Sequence, residues 1–357
     1  MLFRKAILKM RKYAPPIEGR TGKNYLRLDF NERTKPPHPL VRKMVKDYVR
    51  KGDFQIYPEY GDLNKILANF FKVSEYEVMA TNGADQAIDV VLRSLIGEED
   101  SVIIPKPTFP IFEQSARIQG AKIISPRYQG KNLTFPFKEI MKIIKRRVKL
   151  LIICNPNNPT GTIVLKSQCR KLIEKAKEAG IAVVIDETYH SFSPGLTVLD
   201  LIKNFDNLFV IRSFAKNMGI PGLRAGCVIS QKKNIEELVK IRGPYDVSMP
   251  AVFAIKSLKY LSVRKDIEAY VAEVMKVSKP MIEKFYIKNK IKFFPSGANF
   301  HLIKDEDGRI TAFLKSKNII VRKRSDPKGT VRVSIGTRED TRKYLEALSE
   351  YLKTQKA

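Results

Sequence analysis

Cysteine is scarce in this sequence, and acidic side chains are outnumbered. The 357 residues include three cysteines, Cys154, Cys169 and Cys227. Their odd number and spacing do not suggest a metal site; reduced thiols in a cytoplasmic protein are the expectation. Long apolar runs are also missing. None approaches the ~20 residues of a membrane-spanning helix, so no membrane partner is expected. The opening "MLFRKAILKMRKYAPP" is basic and partly apolar. It has no long apolar core or cleavage signature, and it reads as an arm rather than a signal peptide. No internal repeat is present.

Asp and Glu number 37 against 66 Lys and Arg, a net charge of +29. Such a surplus suits nucleic acid, an acidic surface or an anionic substrate. The basic residues are spread along the chain, however. Their densest clusters, "KIIKRRVK" at 142–149 and "VRKR" at 321–324, have no interleaved aromatics and match no nucleic-acid motif. A lysine-rich surface without a nucleic-acid partner is the expectation.

What the chain does have is alternation. Short apolar runs such as Leu150–Cys154 and Ile181–Ile185 suit strands buried on both faces. Between them lie stretches of helical periodicity; "SQCRKLIEKAKEAG" begins at a serine and stops at Gly180. This pattern predicts an α/β fold: a large, mostly parallel sheet with helices on both faces. After about residue 245 the pattern changes. One or two long helices are followed by strand, helix, strand, strand, which predicts a small α+β domain. The expected division is an N-terminal arm and part of the small domain at 1–35, a large domain at 36–245, and a small C-terminal domain at 246–357.

Parallel sheets bind ligands beyond the carboxyl ends of their strands. Three motifs fall there. "NGAD" (82–85) opens a helix, whose first N–H groups and dipole attract an anion. "CNPNNPTG" (154–161) is a rigid loop able to hold an amide side chain in place. "AVVIDETY" (182–189) puts Asp186 after an apolar run, where a carboxylate needs a partner. Each alone has an ordinary reading: a strand–helix turn, a helix-entry loop, a cap or structural ion pair. A fourth stretch, "SFAKNMGIPGLRAG" (213–226), carries Ser213, Lys216 and Arg224.

The order and spacing of these motifs resemble the fold-type I, pyridoxal-phosphate-dependent class I/II aminotransferases. Within that group the chain is most similar to histidinol-phosphate aminotransferases and to the related phosphothreonine decarboxylases. The resemblance runs from "LDFNER" (28–33) to "VRVSIGTRED" (331–340). It implies a cytoplasmic, homodimeric enzyme that moves an amino group between an amino acid, glutamate being the expected donor, and a small keto or aldehyde acceptor that can carry a phosphate. The alternative it implies is decarboxylation of a phosphorylated amino acid.

The resemblance also implies roles. Lys216 joins covalently to pyridoxal phosphate and carries the proton during reaction. Asp186 faces the pyridine nitrogen, Phe109 stacks on the ring, and Asn158 and Tyr189 donate to the ring oxygen. Ser213, Arg224 and the helix start at Gly83, Ala84 and Asp85 hold the phosphate. Tyr57, in "IYPEYG", reaches the phosphate in the neighbouring subunit, so the active sites are shared. Arg332 clamps the substrate carboxylate, Arg322 faces a distal phosphate, and Arg338 assists. Three positions depart from the family pattern. The entrance segment reads "NERTKPPHP", Ala215 precedes the lysine where serine is common, and Phe109 stands where the histidinol-phosphate enzymes usually have tyrosine.

Overall fold

The computed structural model describes residues 2–20 and 24–355. Among these, eleven strands form: β1 (Leu26–Leu28), β2 (Val78–Asn82), β3 (Ser101–Ile103), β4 (Lys122–Ile124), β5 (Val148–Cys154), β6 (Ala182–Asp186), β7 (Leu208–Ser213), β8 (Ala225–Ile229), β9 (Phe300–Lys304), β10 (Ile319–Arg324) and β11 (Thr330–Ser334). Seven build a sheet in the order β2-β8-β7-β6-β5-β3-β4. Only β8 runs against its neighbours β2 and β7. The remaining four build a smaller sheet, β1-β10-β11-β9.

The alternating side chains of a strand explain the layering. Leu151, Ile153, Val183, Ile185 and Val210 face one apolar cluster. It also takes in residues of helices Leu63–Phe71, Phe137–Ile143, Lys166–Glu178 and Met249–Lys256. Leu150, Ile152, Val184, Phe209 and Ile211 face the opposite cluster, shared with helices Gly83–Leu95, Pro110–Ile118 and Lys232–Val239. Strands covered on both faces read as unbroken apolar runs because every side chain is buried.

The small sheet has its own core. Leu28, Phe300, Ile319, Val321, Val331 and Val333 pack with Tyr270, Tyr286 and Tyr344. β1 pairs in parallel with β10, which joins the chain's beginning to the C-terminal sheet. The long helical stretch of the tail is broken once, at 257–260, after helix Met249–Lys256. It then runs from Leu261 to Lys288 through a wider, π-type turn at Glu273–Ser278. Pro280 follows that turn; lacking an N–H, it has none to give to the preceding ladder.

Candidate active site

β2, β3, β5, β6 and β7 all end on one side of the large sheet, and their carboxyl ends open into a cleft of about 570 Å³. The cleft is lined on its other sides by arginines of β10 and β11 and by Tyr13, Pro15 and Ile17 of the N-terminal arm.

Asp186 is the last residue of β6 and is 3% exposed. Its Oδ1 accepts from the Thr188 N–H at 2.9 Å, and no cation pairs with it among the described residues. Burial pushes its carboxyl up to about 6, with the Asp85 and Glu187 carboxylates adding to the rise. Lys216 lies in the loop after β7, with its Nζ donating to the Phe30 carbonyl at 3.0 Å. Enclosure pushes the amine down to about 8, assisted by the neighbouring Arg332 charge.

The "CNPNNPTG" loop divides its asparagines by task. Asn155 exchanges hydrogen bonds with the backbone of Val164, and its Nδ2 donates at 2.9 Å. Asn157 donates to the Pro107 carbonyl and to Thr160, and accepts from Thr108. With the loop stapled at these points, Asn158 turns to the cleft, where its Oδ1 accepts from Arg332 Nη1. Tyr189 is buried in the small-sheet core with its ring edge-on to Phe300; its hydroxyl accepts from Asn31 Nδ2 at 2.9 Å. Burial raises that phenol well above its ordinary value.

At the other end of the cleft, Arg224 pairs with Asp85 at 2.9 Å beside the start of helix Gly83–Leu95. Ala84 and Asp85 line the cleft, and Gly83 is the first residue of the same helix. A Cβ on Gly83 would stand 2.7 Å from Arg224 Nη2, and the φ of +76° favours glycine as well. Ser213 lines the same end, its Oγ accepting from the Ala215 N–H. Phe109, just before helix Pro110–Ile118, lines the wall and meets Phe112 edge-on.

Three arginines occupy the small-sheet wall. Arg332 is buried; its Nη2 donates to the Asp29 carbonyl at 2.6 Å, and its Nε has no partner among the described residues. Burial pushes it down to about 10. Arg322 lies directly across the ladder from Arg332. Arg324 stands two residues further along β10 and so shares its face. Neither Arg322 nor Arg324 forms an ion pair among the described residues, although both line the cleft. The Arg324 Nε is buried without a partner.

Two expected residues lie elsewhere. Tyr57 is 73% exposed and stacks on Tyr245 at 4.4 Å, outside the cleft of its own chain. Arg338 heads the C-terminal helix Arg338–Thr354, where its N–H donates to Glu273, and it does not line the cleft. Conversely, the sequence reading missed Arg324, Asn31, Phe30 and Tyr13. Arg324 was readable, since period-two alternation puts it beside Arg322. The others come from the N-terminal segment, and their sequence carries no signal of that placement.

The arrangement fits pyridoxal phosphate. A buried carboxylate without a cation suits a protonated ring nitrogen, a helix start flanked by Arg224 and Ser213 suits a phosphate, and the amine of Lys216 opens into the same cleft. Fold and site thus define a pyridoxal-phosphate-dependent enzyme of the aminotransferase kind. The family model described as aminotransferase class I and II matches residues 23–348, and the chain belongs to that family. It is 31% identical to histidinol-phosphate aminotransferase 2 of Archaeoglobus fulgidus, over 92% of this chain and 93% of that protein. The solved histidinol-phosphate aminotransferase of Sinorhizobium meliloti in complex with pyridoxal-5'-phosphate superposes with a TM-score of 0.87 at 21% identity, covering 99% of this chain and 98% of that one. The L-threonine-O-3-phosphate decarboxylase of Porphyromonas gingivalis has the same fold, with a TM-score of 0.77 at 21% identity over 92% of this chain and 99% of that one. The protein is a pyridoxal-phosphate-dependent aminotransferase.

Proposed function

We infer that this aminotransferase exchanges the amino group of an amino acid, with glutamate as the expected donor, with a small phosphate-bearing partner of the histidinol-phosphate type. The observation that carries this reading is the arginine wall. Arg322 faces Arg332 directly across the ladder, and Arg324 adds a third positive group. Like charges opposed on a sheet destabilise it unless an anion lies between them. The two positive charges of Arg322 and Arg324 match a phosphate monoester dianion, and each guanidinium offers it paired N–H donors.

The geometry supports the remaining roles in this reading. Lys216 bears the cofactor, and Asp186 faces the ring nitrogen. Arg224, Ser213 and the helix start at Gly83, Ala84 and Asp85 hold the cofactor phosphate, with Arg224 exchanging Asp85 for it. Phe109 covers the ring. The Asn158 oxygen is taken by Arg332 and the Tyr189 hydroxyl accepts from Asn31, so both retain a hydrogen to donate to the ring oxygen. Arg332 holds the donor's carboxylate.

Bound pyridoxal phosphate supplies an electron-poor ring that spreads the negative charge arising at the substrate Cα. The protein's own groups do the rest. By gripping the carboxylate, Arg332 fixes which Cα bond is aligned to break. Lys216, with its amine near 8, has a neutral fraction able to take the Cα proton and return it elsewhere. Asp186 keeps the ring nitrogen protonated.

A cytoplasmic homodimer with shared sites completes the reading. Phe54, Ile56, Tyr57 and Tyr245 form an exposed apolar group, of the kind that marks an interface. Tyr57 on that face would reach the neighbour's cofactor phosphate. No helix among the described residues is long and apolar enough to cross a membrane, and all three cysteines are unpaired and buried.

Spectral titration of the holoenzyme tests the substrate. Phosphorylated amines and amino acids should react, and their dephosphorylated forms should react at least tenfold less well, a preference that Arg322→Gln with Arg324→Gln removes. Equal reaction of both forms would overturn the reading. Carbon dioxide released without any keto acid would instead mark a decarboxylase of a phosphorylated amino acid.

A further inference from the structure

The segment "NERTKPPHP" departs from the family's entrance sequence, and no role above uses its arginine. Arg33 is nonetheless enclosed: its side chain is 1% exposed. Its Nη1 donates to the backbone carbonyl of Asn217 at 3.1 Å, and its Nη2 pairs with Asp266 at 2.7 Å. Its guanidinium carbon lies 4.7 Å from the centre of the Tyr270 ring. Asp266 and Tyr270 sit one turn apart on helix Leu261–Ala272. At Gly219 a Cβ would stand 2.7 Å from the Arg33 Cδ, and φ there is +77°, so the lysine loop is shaped to let this side chain pass.

Asn217 is the residue after the reactive lysine, and it is held in more than one way. Its Nδ2 donates to Ser191 Oγ at 2.8 Å, and its Oδ1 accepts from the Met218 N–H. Three residues before Arg33, the Phe30 carbonyl receives the Lys216 amine. One stretch of four residues therefore touches the lysine at its tip and beside its backbone. A hydrogen bond from a buried charge is stronger than one between neutral groups. An arginine enclosed this well also resists displacement, because moving it off Asp266 would leave a buried charge unmatched.

The geometry points to Arg33 as a positioning residue for the reaction. It fixes the backbone after Lys216, and so sets where the amine stands, and it ties that setting through Asp266 and Tyr270 to helix Leu261–Ala272. This rests on the reading of Lys216 as the residue that carries the cofactor.

The test uses holoenzyme of Arg33→Met, Arg33→Lys and Asp266→Asn. Two quantities are read: the pH midpoint of the lysine-bound cofactor's absorbance, and kcat and KM for the amino donor. Arg33→Met should move the midpoint by about half a pH unit or more and lower kcat roughly tenfold, with KM within about threefold. Arg33→Lys, which keeps the charge, should recover part of both. Asp266→Asn, at a partly exposed position, should move the midpoint by less. The idea is overturned if the folded Arg33→Lys and Asp266→Asn proteins both keep the wild-type midpoint and kcat, or if Arg33→Met lowers only the melting temperature. Should Arg33→Met fail to fold, the other two variants decide. Borohydride labelling separates the two readings: a tag on Lys216 with unchanged midpoints defeats the positioning role alone, and a tag elsewhere defeats the assignment of Lys216.

Discussion

Arg332 and Asn158, 174 residues apart in sequence, are joined by a hydrogen bond at the centre of the cleft. The arginine donates, so the amide must present its oxygen to the guanidinium and its Nδ2 toward the ring position. The residue proposed to grip the substrate is thereby coupled to the one proposed to meet the cofactor. Asn158→Asp would neutralise Arg332 instead of orienting it. KM for the amino donor should rise at least tenfold, while cofactor binding falls by less. Steady-state kinetics with a cofactor titration checks this.

Asp186 supplies a prediction with a sign. Its folded carboxyl lies near 6, above the ordinary 3.8, so its contribution to stability is present below pH ~4 and lost as pH rises through 6. A difference of this size is worth about 3 kcal/mol. Asp186→Asn should therefore raise the melting temperature of the cofactor-free protein at pH 7.5, with the gain vanishing near pH 4. The same variant should lose activity by at least about a hundredfold, because the ring nitrogen loses its partner. Calorimetry across pH and a rate assay read the two halves separately.

Lys216 should titrate unlike a surface lysine. With its amine near 8, capture of pyridoxal phosphate by the cofactor-free protein should accelerate as pH rises through about 8 and then level off. Stopped-flow absorbance against pH measures this directly. A rate that keeps climbing toward pH 10 would falsify the assignment. Lys216→Ala should bind the cofactor without covalent linkage and show no turnover.

Gly83→Ala tests the phosphate end. The added methyl would meet the Arg224 guanidinium and the backbone would be strained, at a cost on the order of 1–3 kcal/mol. Cofactor affinity should fall about tenfold or more, with the fold retained. Equilibrium dialysis of pyridoxal phosphate gives the number.

Shared sites can be tested by mixing subunits. Tyr57→Ala and Lys216→Ala homodimers should both be impaired. A hybrid dimer should regain activity, because one of its two clefts combines the intact lysine with the intact tyrosine.

Much of the site could be read from the sequence because it sits where strands end. Asp186, Asn158, Ser213 and Lys216 each follow a buried apolar run, and parallel strands deliver their ends to a common edge. Arg338 was less legible. It follows a strand by only a few residues, but those residues turn into a capped helix, with Thr337 bonded to Asp340, and Arg338 does not line the cleft. Tyr57 lies exposed on the surface, stacked on Tyr245, and its proposed role requires a second copy of the chain.

The sequence by itself determined the layered α/β core and the run of cofactor motifs, since apolar periodicity and glycine-bearing turns act over a few residues. Only the tertiary structure decided that Arg33 grips the carbonyl beside the lysine and that the N-terminal arm brings Tyr13 to the wall of the cleft. Those contacts link segments one to three hundred residues apart, and local preference along the chain carries no record of which distant surface a side chain will meet.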